Sequence, residues 1–148
     1  MIEWTLPTYE IIGTVPMYNK AFVIDDMALD RLITEKMIKL NGFAMDVVTF
    51  DSAVAALSYL SANASSPELI PDIIFLDIQM PVMNGFAFME KFSNLPESIL
   101  QKCGIATLSS SIAPEDRLQA ESYPFVLRYL NKPLSKQQLI DFAETIQA

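Results

Sequence analysis

The chain has 148 residues, one cysteine, no histidine and a formal charge of −8, with 51% hydrophobic and 19% charged residues. That length and balance predict one globular domain with a full core. They exclude a disulfide framework, serine-histidine triads, histidine metal sites, a phosphohistidine donor role, and the basic face that nucleic acid or an anionic membrane rewards. No apolar run approaches the roughly 20 residues of a membrane span. The opening MIEWTLPTYE lacks the basic and apolar regions of a signal peptide, so a cytoplasmic protein is expected.

Residues 1–19, with Trp4, Pro7, Gly13 and Pro16, stand apart from the pattern that follows and read as an N-terminal extension, peripheral or non-native. YEIIGTV within it is a candidate extra strand, Met17 is an alternative start, and Met17–Lys20 would be a natural beginning for the first strand. The pattern proper begins with AFVI (21–24), a strand running into Asp25-Asp26. In 27–41, Leu29, Leu32, Ile33, Met37 and Leu40 recur at three- and four-residue spacing, which predicts a helix burying that face, with Asp30, Arg31, Glu35, Lys36 and Lys39 mostly on the wet one; Asn41-Gly42 is its stop signal. DVVTF (46–50) is the second strand, and Asp51 or Ser52 can cap a helix over 53–60. SANASSPELIP (61–71) reads as a polar loop, and its Asn63-Ala-Ser65 sequon as chance.

DIIFL (72–76) is the third strand, and NGFAFMEKF opens a helix at Asn84-Gly85. Cys103 precedes the fourth strand, GIATL (104–108), and reads as a buried inert thiol. PEDRLQA starts with Pro114 and sets two acids in a first helical turn, where the dipole favours them. FVLRYL (125–130) is the fifth strand. SKQQLIDFAETI begins with a capping box, Ser135 and Gln138, and buries Leu139, Phe142 and Ile146.

Strands this continuously apolar are covered on both faces, as in a parallel sheet. Alternation with helices at crossover spacing predicts an α/β, doubly wound sandwich with helices on both faces and its ligand crevice beyond the carboxyl ends of the strands. Those ends deliver Asp25 and Asp26, Asp77, Ser109 and Lys132 to one edge. Clustered carboxylates repel unless a cation sits among them. Oxygen ligands without His or Cys select Mg²⁺ or Mn²⁺, which favour phosphate oxygens as well. Aspartyl phosphorylation or a Mg²⁺ phosphotransfer site is the first inference.

FVIDD, FLDIQMPVMNGF with its D-x-x-M-P-x-x-[DN]-G spacing, ATLSS and YLNKP occur in that order, each at a strand end. Over residues 20–148 the chain resembles the receiver domain of bacterial two-component response regulators. The resemblance implies a flavodoxin-like strand order 2-1-3-4-5 and a phosphoacceptor at Asp77. It implies Mg²⁺ held by Asp26, Asp77 and the backbone carbonyl of Gln79, with Asp25 indirect or supporting. Lys132 and Ser109 would meet the phosphoryl oxygens, and Tyr129 would be the aromatic switch. A cis Lys132–Pro133 bond would place the lysine, and Gln79 and Ser111 would tune dephosphorylation. The implied partners are a sensor histidine kinase or phosphotransfer protein. Downstream, a protein target would meet the face of the fourth helix, fifth strand and fifth helix, with a phosphorylation-linked homodimer as a further option. Such a chain is a signalling domain and not an enzyme on outside substrates. A stand-alone output, by protein contact or phosphorelay, is expected.

Singly, each of these residues has an ordinary role. Asp25 or Asp26 could cap the first helix, Ser109 belongs to a serine run, Tyr129 could be a half-buried strand residue, and Lys132 alone could be solvated. Met80, Met83 and Met89 read as core filler. Two other functional classes compete. A phosphate-independent interaction module would not need the intact acid set, Ser109 and Lys132. A small Mg²⁺ phosphohydrolase of the haloacid-dehalogenase type would need a second aspartate where Gln79 stands. A flavin site is disfavoured because no phosphate-binding loop rich in small residues follows the first strand.

Overall fold

The computed structural model describes residues 17–147; the candidate strand in the N-terminal extension lies outside them, as does the side chain of Ile146. Five parallel strands, β1 (Tyr18–Ile24), β2 (Ala44–Phe50), β3 (Ile73–Asp77), β4 (Gly104–Ser109) and β5 (Val126–Asn131), form one sheet in the order β2-β1-β3-β4-β5. The principal helices are α1 (Ala28–Leu40), α2 (Ala53–Ala62), α3 (Gly85–Phe92), α4 (Pro114–Glu121) and α5 (Lys136–Gln147). The doubly wound fold and its strand order are those expected from the sequence.

Local chemistry explains the element ends. Ser52, and not Asp51, caps α2 by accepting from the Ala55 N–H at 3.1 Å. Asn84 caps α3 by accepting from the Ala87 N–H at 2.9 Å. The α5 capping box is reciprocal: Gln138 N–H donates to Ser135 Oγ and Ser135 N–H to Gln138 Oε1. Gly42 follows α1 with φ of 64°, a left-handed turn that a residue without Cβ adopts freely.

Two apolar layers sandwich the sheet. Phe22, Ile24, Ile74 and Leu76 face α2 and α3 through Ala56, Leu60, Phe88, Met89 and Phe92. Ala21, Val23, Phe75 and Leu108 face the other way, onto Ile38, Leu139 and Phe142. All five residues of β3 are buried, so its terminal Asp77 lies in the deepest part of the edge. Met80 and Met89 fill core, with Met83 packed against it.

Three expectations need correction. β1 starts at Tyr18, within the Met17–Lys20 segment expected to open it but two residues inside the stretch assigned to the extension, because the N–H of Tyr18 donates to Phe43 O and those of Asn19 and Lys20 donate to Asp72. A 3-10 turn (Pro67–Leu69) and a single-turn helix (Glu97–Leu100) occupy connections that gave no periodic signal.

The third concerns α1, which buries Thr34 and Ile38 while Leu29 (66% exposed), Leu32 (47%), Ile33 (36%) and Leu40 (70%) face outward. The helix meets the core through Thr34, Ile38 and the capping Asn41, two of them polar, with the half-buried Met37 packed alongside. Asn41 is accommodated by donating its side chain to Met37 O at 2.8 Å. Of the five stripe residues, Met37 packs against the core as expected and the other four lie on the solvent side.

Candidate functional site

The crevice begins where β1 gives way to Asp25, whose N–H continues the ladder by donating to Phe50 O at 3.1 Å. Its side chain is 1% exposed, and one oxygen accepts from the Met27 N–H, fixing the turn into α1. The N-cap of α1 is Met27 itself, without a side-chain bond, so neither aspartate is spent as a conventional cap. Asp77 is 3% exposed and accepts from the Gln79 N–H at 3.2 Å. Asp25, Asp26 and Asp77 bring carboxylate oxygens within 4.8 Å of one another, and Asp26 Oδ1 is buried with no hydrogen-bond partner.

Lys132 answers this charge. Its Nζ lies 2.8 Å from Asp25 Oδ2, 2.9 Å from Asp30 Oδ2 and 3.3 Å from Asp77 Oδ1. The backbone aims it: Lys132 N–H donates to Ser109 O at 2.9 Å. The Lys132–Pro133 bond is cis, as the resemblance implied. Burial alone would lower the lysine pKa, but hydrogen bonds to Asp25 and Asp30 outweigh it and hold the ammonium firmly charged. For Asp77 the balance runs the other way. Burial, then repulsion from Asp25, pushes its carboxyl up to about 6 against the pull of Lys132.

Ser109 ends β4 opposite Asn131 and is fully buried; its Oγ accepts from the Ser111 N–H at 2.9 Å. Ser111 ties the loop together. Its Oγ donates to Asp116 at 2.8 Å and accepts from the Ala113 N–H, and its carbonyl accepts from Tyr129 Oη at 3.5 Å and Asn131 Nδ2 at 3.4 Å. Tyr129 is 8% exposed, with the Arg117 guanidinium 6.0 Å from its ring centre. The Gln79 side chain accepts from Ser110 Oγ at 3.0 Å, bridging the loops after β3 and β4. Gly85 donates to Ile78 O; a Cβ there would stand 2.8 Å from Ile78 Cα and 2.9 Å from Asp77 O, so α3 approaches the acid loop only because this residue has none. At the tip of that loop Val82 holds φ of 69°, a costly conformation for a β-branched residue.

Asp25, Asp26, Asp77 and Lys132 thus meet directly, with Gln79 and Ser109 on the adjoining strand ends. Ser111 and Tyr129 sit one layer out, in the cleft beside α4. Sequence reading missed Asp30, which it placed on the wet face of α1. Its signal was position: it stands in the first turn of a helix that starts at the acid edge. Cys103 is buried, and burial raises its thiol pKa, in keeping with an inert core residue. The oxygen-only donor set and the orphaned Asp26 oxygen fit a hard divalent cation.

The sequence model of the response regulator receiver domain matches residues 21–144. The chain belongs to this family. It is 31% identical to Protein PilG of Pseudomonas aeruginosa over 121 residues, covering 82% of each chain. It is 33% identical to protein-glutamate methylesterase/protein-glutamine glutaminase 3 of Burkholderia thailandensis, covering 87% of this chain but only 32% of that protein. The crystal structure of a response regulator receiver protein from Dyadobacter fermentans superposes with a TM-score of 0.74 at 33% identity, covering 85% of this chain and 95% of that one. The chain therefore corresponds to the receiver portion of the methylesterase relative, about a third of its length.

Proposed function

We propose that the protein accepts a phosphoryl group on Asp77 from a phosphohistidine of a sensor kinase or phosphotransfer protein, and signals through a protein partner or onward relay. The observation that carries this reading is the buried Asp77 carboxylate set between Asp25 and Lys132, beside the unpartnered oxygen of Asp26.

In the transfer, an Asp77 oxygen attacks phosphorus, the donor N–P bond breaks, and its electron pair leaves with the imidazole nitrogen, which takes a proton from solvent. The attacking form is the carboxylate, which Lys132 and a bound cation would both favour. Lys132 counters charge on the transferred oxygens. Ser109 must give up its bond from the Ser111 N–H to turn its hydroxyl inward, and Tyr129 fills the space released. Asp26, Asp77 and the Gln79 carbonyl would hold Mg²⁺ or Mn²⁺, with Asp25 in support; such an ion supplies neutralisation of charge on the phosphoryl oxygens. Gln79 and Ser111 flank the path of hydrolytic water and set the lifetime of the acyl phosphate.

Output is read on the face of α4, β5 and α5, where the exposed Leu118 and Leu127, with Ile112 just before α4, offer apolar contact to a protein target. Among the described residues no helix is long and apolar enough to cross a membrane; the reading places this exchange in the cytoplasm. The protein works here as a signalling domain, with catalysis confined to its own phosphorylation and dephosphorylation.

The test is intact mass after incubation with acetyl phosphate and Mg²⁺. One added phosphoryl group that disappears with EDTA or in Asp77→Asn is expected. No adduct from acetyl phosphate or from a histidine kinase would sink the reading in favour of a phosphate-independent module.

A further inference from the structure

Phosphoryl transfer at Asp77 leaves one acid at the cleft without a task. Asp30, on the first turn of α1, approaches Lys132 to 2.9 Å, closer than the 3.3 Å of Asp77. It is not among the three carboxylates that converge as a metal site. Its other side faces a groove of about 260 Å³ between α1 and the β5–α5 loop, lined also by Ile33, Ser110 and Pro133. Asp30 is therefore reachable by solvent, 38% exposed, while its partner ammonium is only 15% exposed.

An ammonium shared among three carboxylates rests where their pulls balance, and attraction toward α1 is attraction withheld from Asp77. We propose that Asp30 is a positioning residue, a second mooring that draws Lys132 toward α1 and thereby sets both the cation affinity of the acid triad and the speed of Asp77 phosphorylation. This rests on the receiver reading given above. Two consequences follow, with opposite signs. Asp30 neutralises part of the lysine charge and adds its own negative charge nearby, and both effects favour a divalent cation among Asp25, Asp26 and Asp77. The same charge repels an incoming phosphoryl dianion and holds back the lysine that would meet it. The residue trades phosphorylation rate for metal affinity.

Asparagine keeps the size of Asp30 and an oxygen acceptor while removing the charge. The experiment uses the full chain as wild type, Asp30→Asn, Lys132→Gln and the double variant. In EDTA, thermal unfolding should show the two single effects failing to add by about 2 °C or more. Calorimetric titration with Mg²⁺ should show the Kd of Asp30→Asn raised about threefold to tenfold, with a smaller shift in the Lys132→Gln background. At saturating Mg²⁺, Asp30→Asn should gain phosphoryl mass from acetyl phosphate about threefold faster than wild type. A residue that merely supports the fold would slow that step or leave it unchanged.

Additive melting temperatures, or a Mg²⁺ affinity that Asp30→Asn does not weaken, overturn the mooring. A wild-type chain that takes no phosphoryl group overturns the receiver reading instead. The unfolding cycle and the Mg²⁺ titration then still decide Asp30.

Discussion

At the amino end of the sheet, Asp72 accepts from the N–H groups of Asn19 and Lys20 and pairs with Lys102 at 3.0 Å, while Lys102 also donates to Ile70 O. At the carboxyl end, Asp25, Asp30 and Asp77 share the single ammonium of Lys132, and Asp26 has an oxygen with no partner. Both ends hold acids at strand termini, yet only one end balances them. A carboxylate whose acceptor sites are filled fastens strands together. A crowd of carboxylates with too few cations carries an unfavourable energy that a ligand can relieve, and that deficit distinguishes a site from a clamp.

Four substitutions probe this contrast, in falling order of effect. Gly85→Ala sets a methyl group against Ile78 Cα and the Asp77 carbonyl, so the acid loop and α3 must part. A loss of about 3 kcal/mol, read by urea unfolding, is expected together with loss of phosphoryl uptake. Asp72→Ala strands two backbone donors and an ammonium and should cost about 2 kcal/mol, while Mg²⁺ binding at the far end stays as it was. If Asp72→Ala altered Mg²⁺ affinity, the two ends would not be independent.

Asp77→Asn should do the reverse. The folded-state pKa of about 6 lies above the ordinary 3.8, so between those values the folded protein binds more protons than the unfolded chain. Stability contributed by this group therefore falls as pH rises from 4 to 6 and does not return. Without metal at pH 8 the asparagine variant should be about 1–2 kcal/mol more stable than wild type, and the gain should vanish near pH 4. Urea titrations at the two pH values check this, and a variant less stable at pH 8 would mean that the crowding is absent. Lys20→Ala removes a pair to Asp46, which is 59% exposed, and should change stability by less than about 0.5 kcal/mol.

Much of this was legible in the sequence because the informative residues sit at strand ends. DIIFL announces a strand covered on both faces, and Asp77 after it has nowhere to lie but the crevice. Capping was readable where a short polar side chain meets a helix start, as at Ser52, Asn84 and Ser135. Periodicity failed on most of α1 because it reports where apolar residues are, not which line touches the sheet; Thr34 and Asn41 lie on that line, and Asn41 is satisfied by its bond to Met37 O. Asp30 was missed for a related reason. A charge on a helix is ordinarily solvated, and only the three-dimensional approach of Lys132, 102 residues later in the chain, gives it a partner. The turns at Pro67–Leu69 and Glu97–Leu100 are too short for any period to register.

Ser111 has a mechanical consequence. Its amide holds the Ser109 hydroxyl, its own hydroxyl holds Asp116 and the Ala113 amide, and its carbonyl receives Tyr129 and Asn131. Those five attachments radiate from one residue to the end of β4, the start of α4 and the strand β5. Turning the Ser109 hydroxyl away would therefore unfasten one plate from a rivet that still holds the other two.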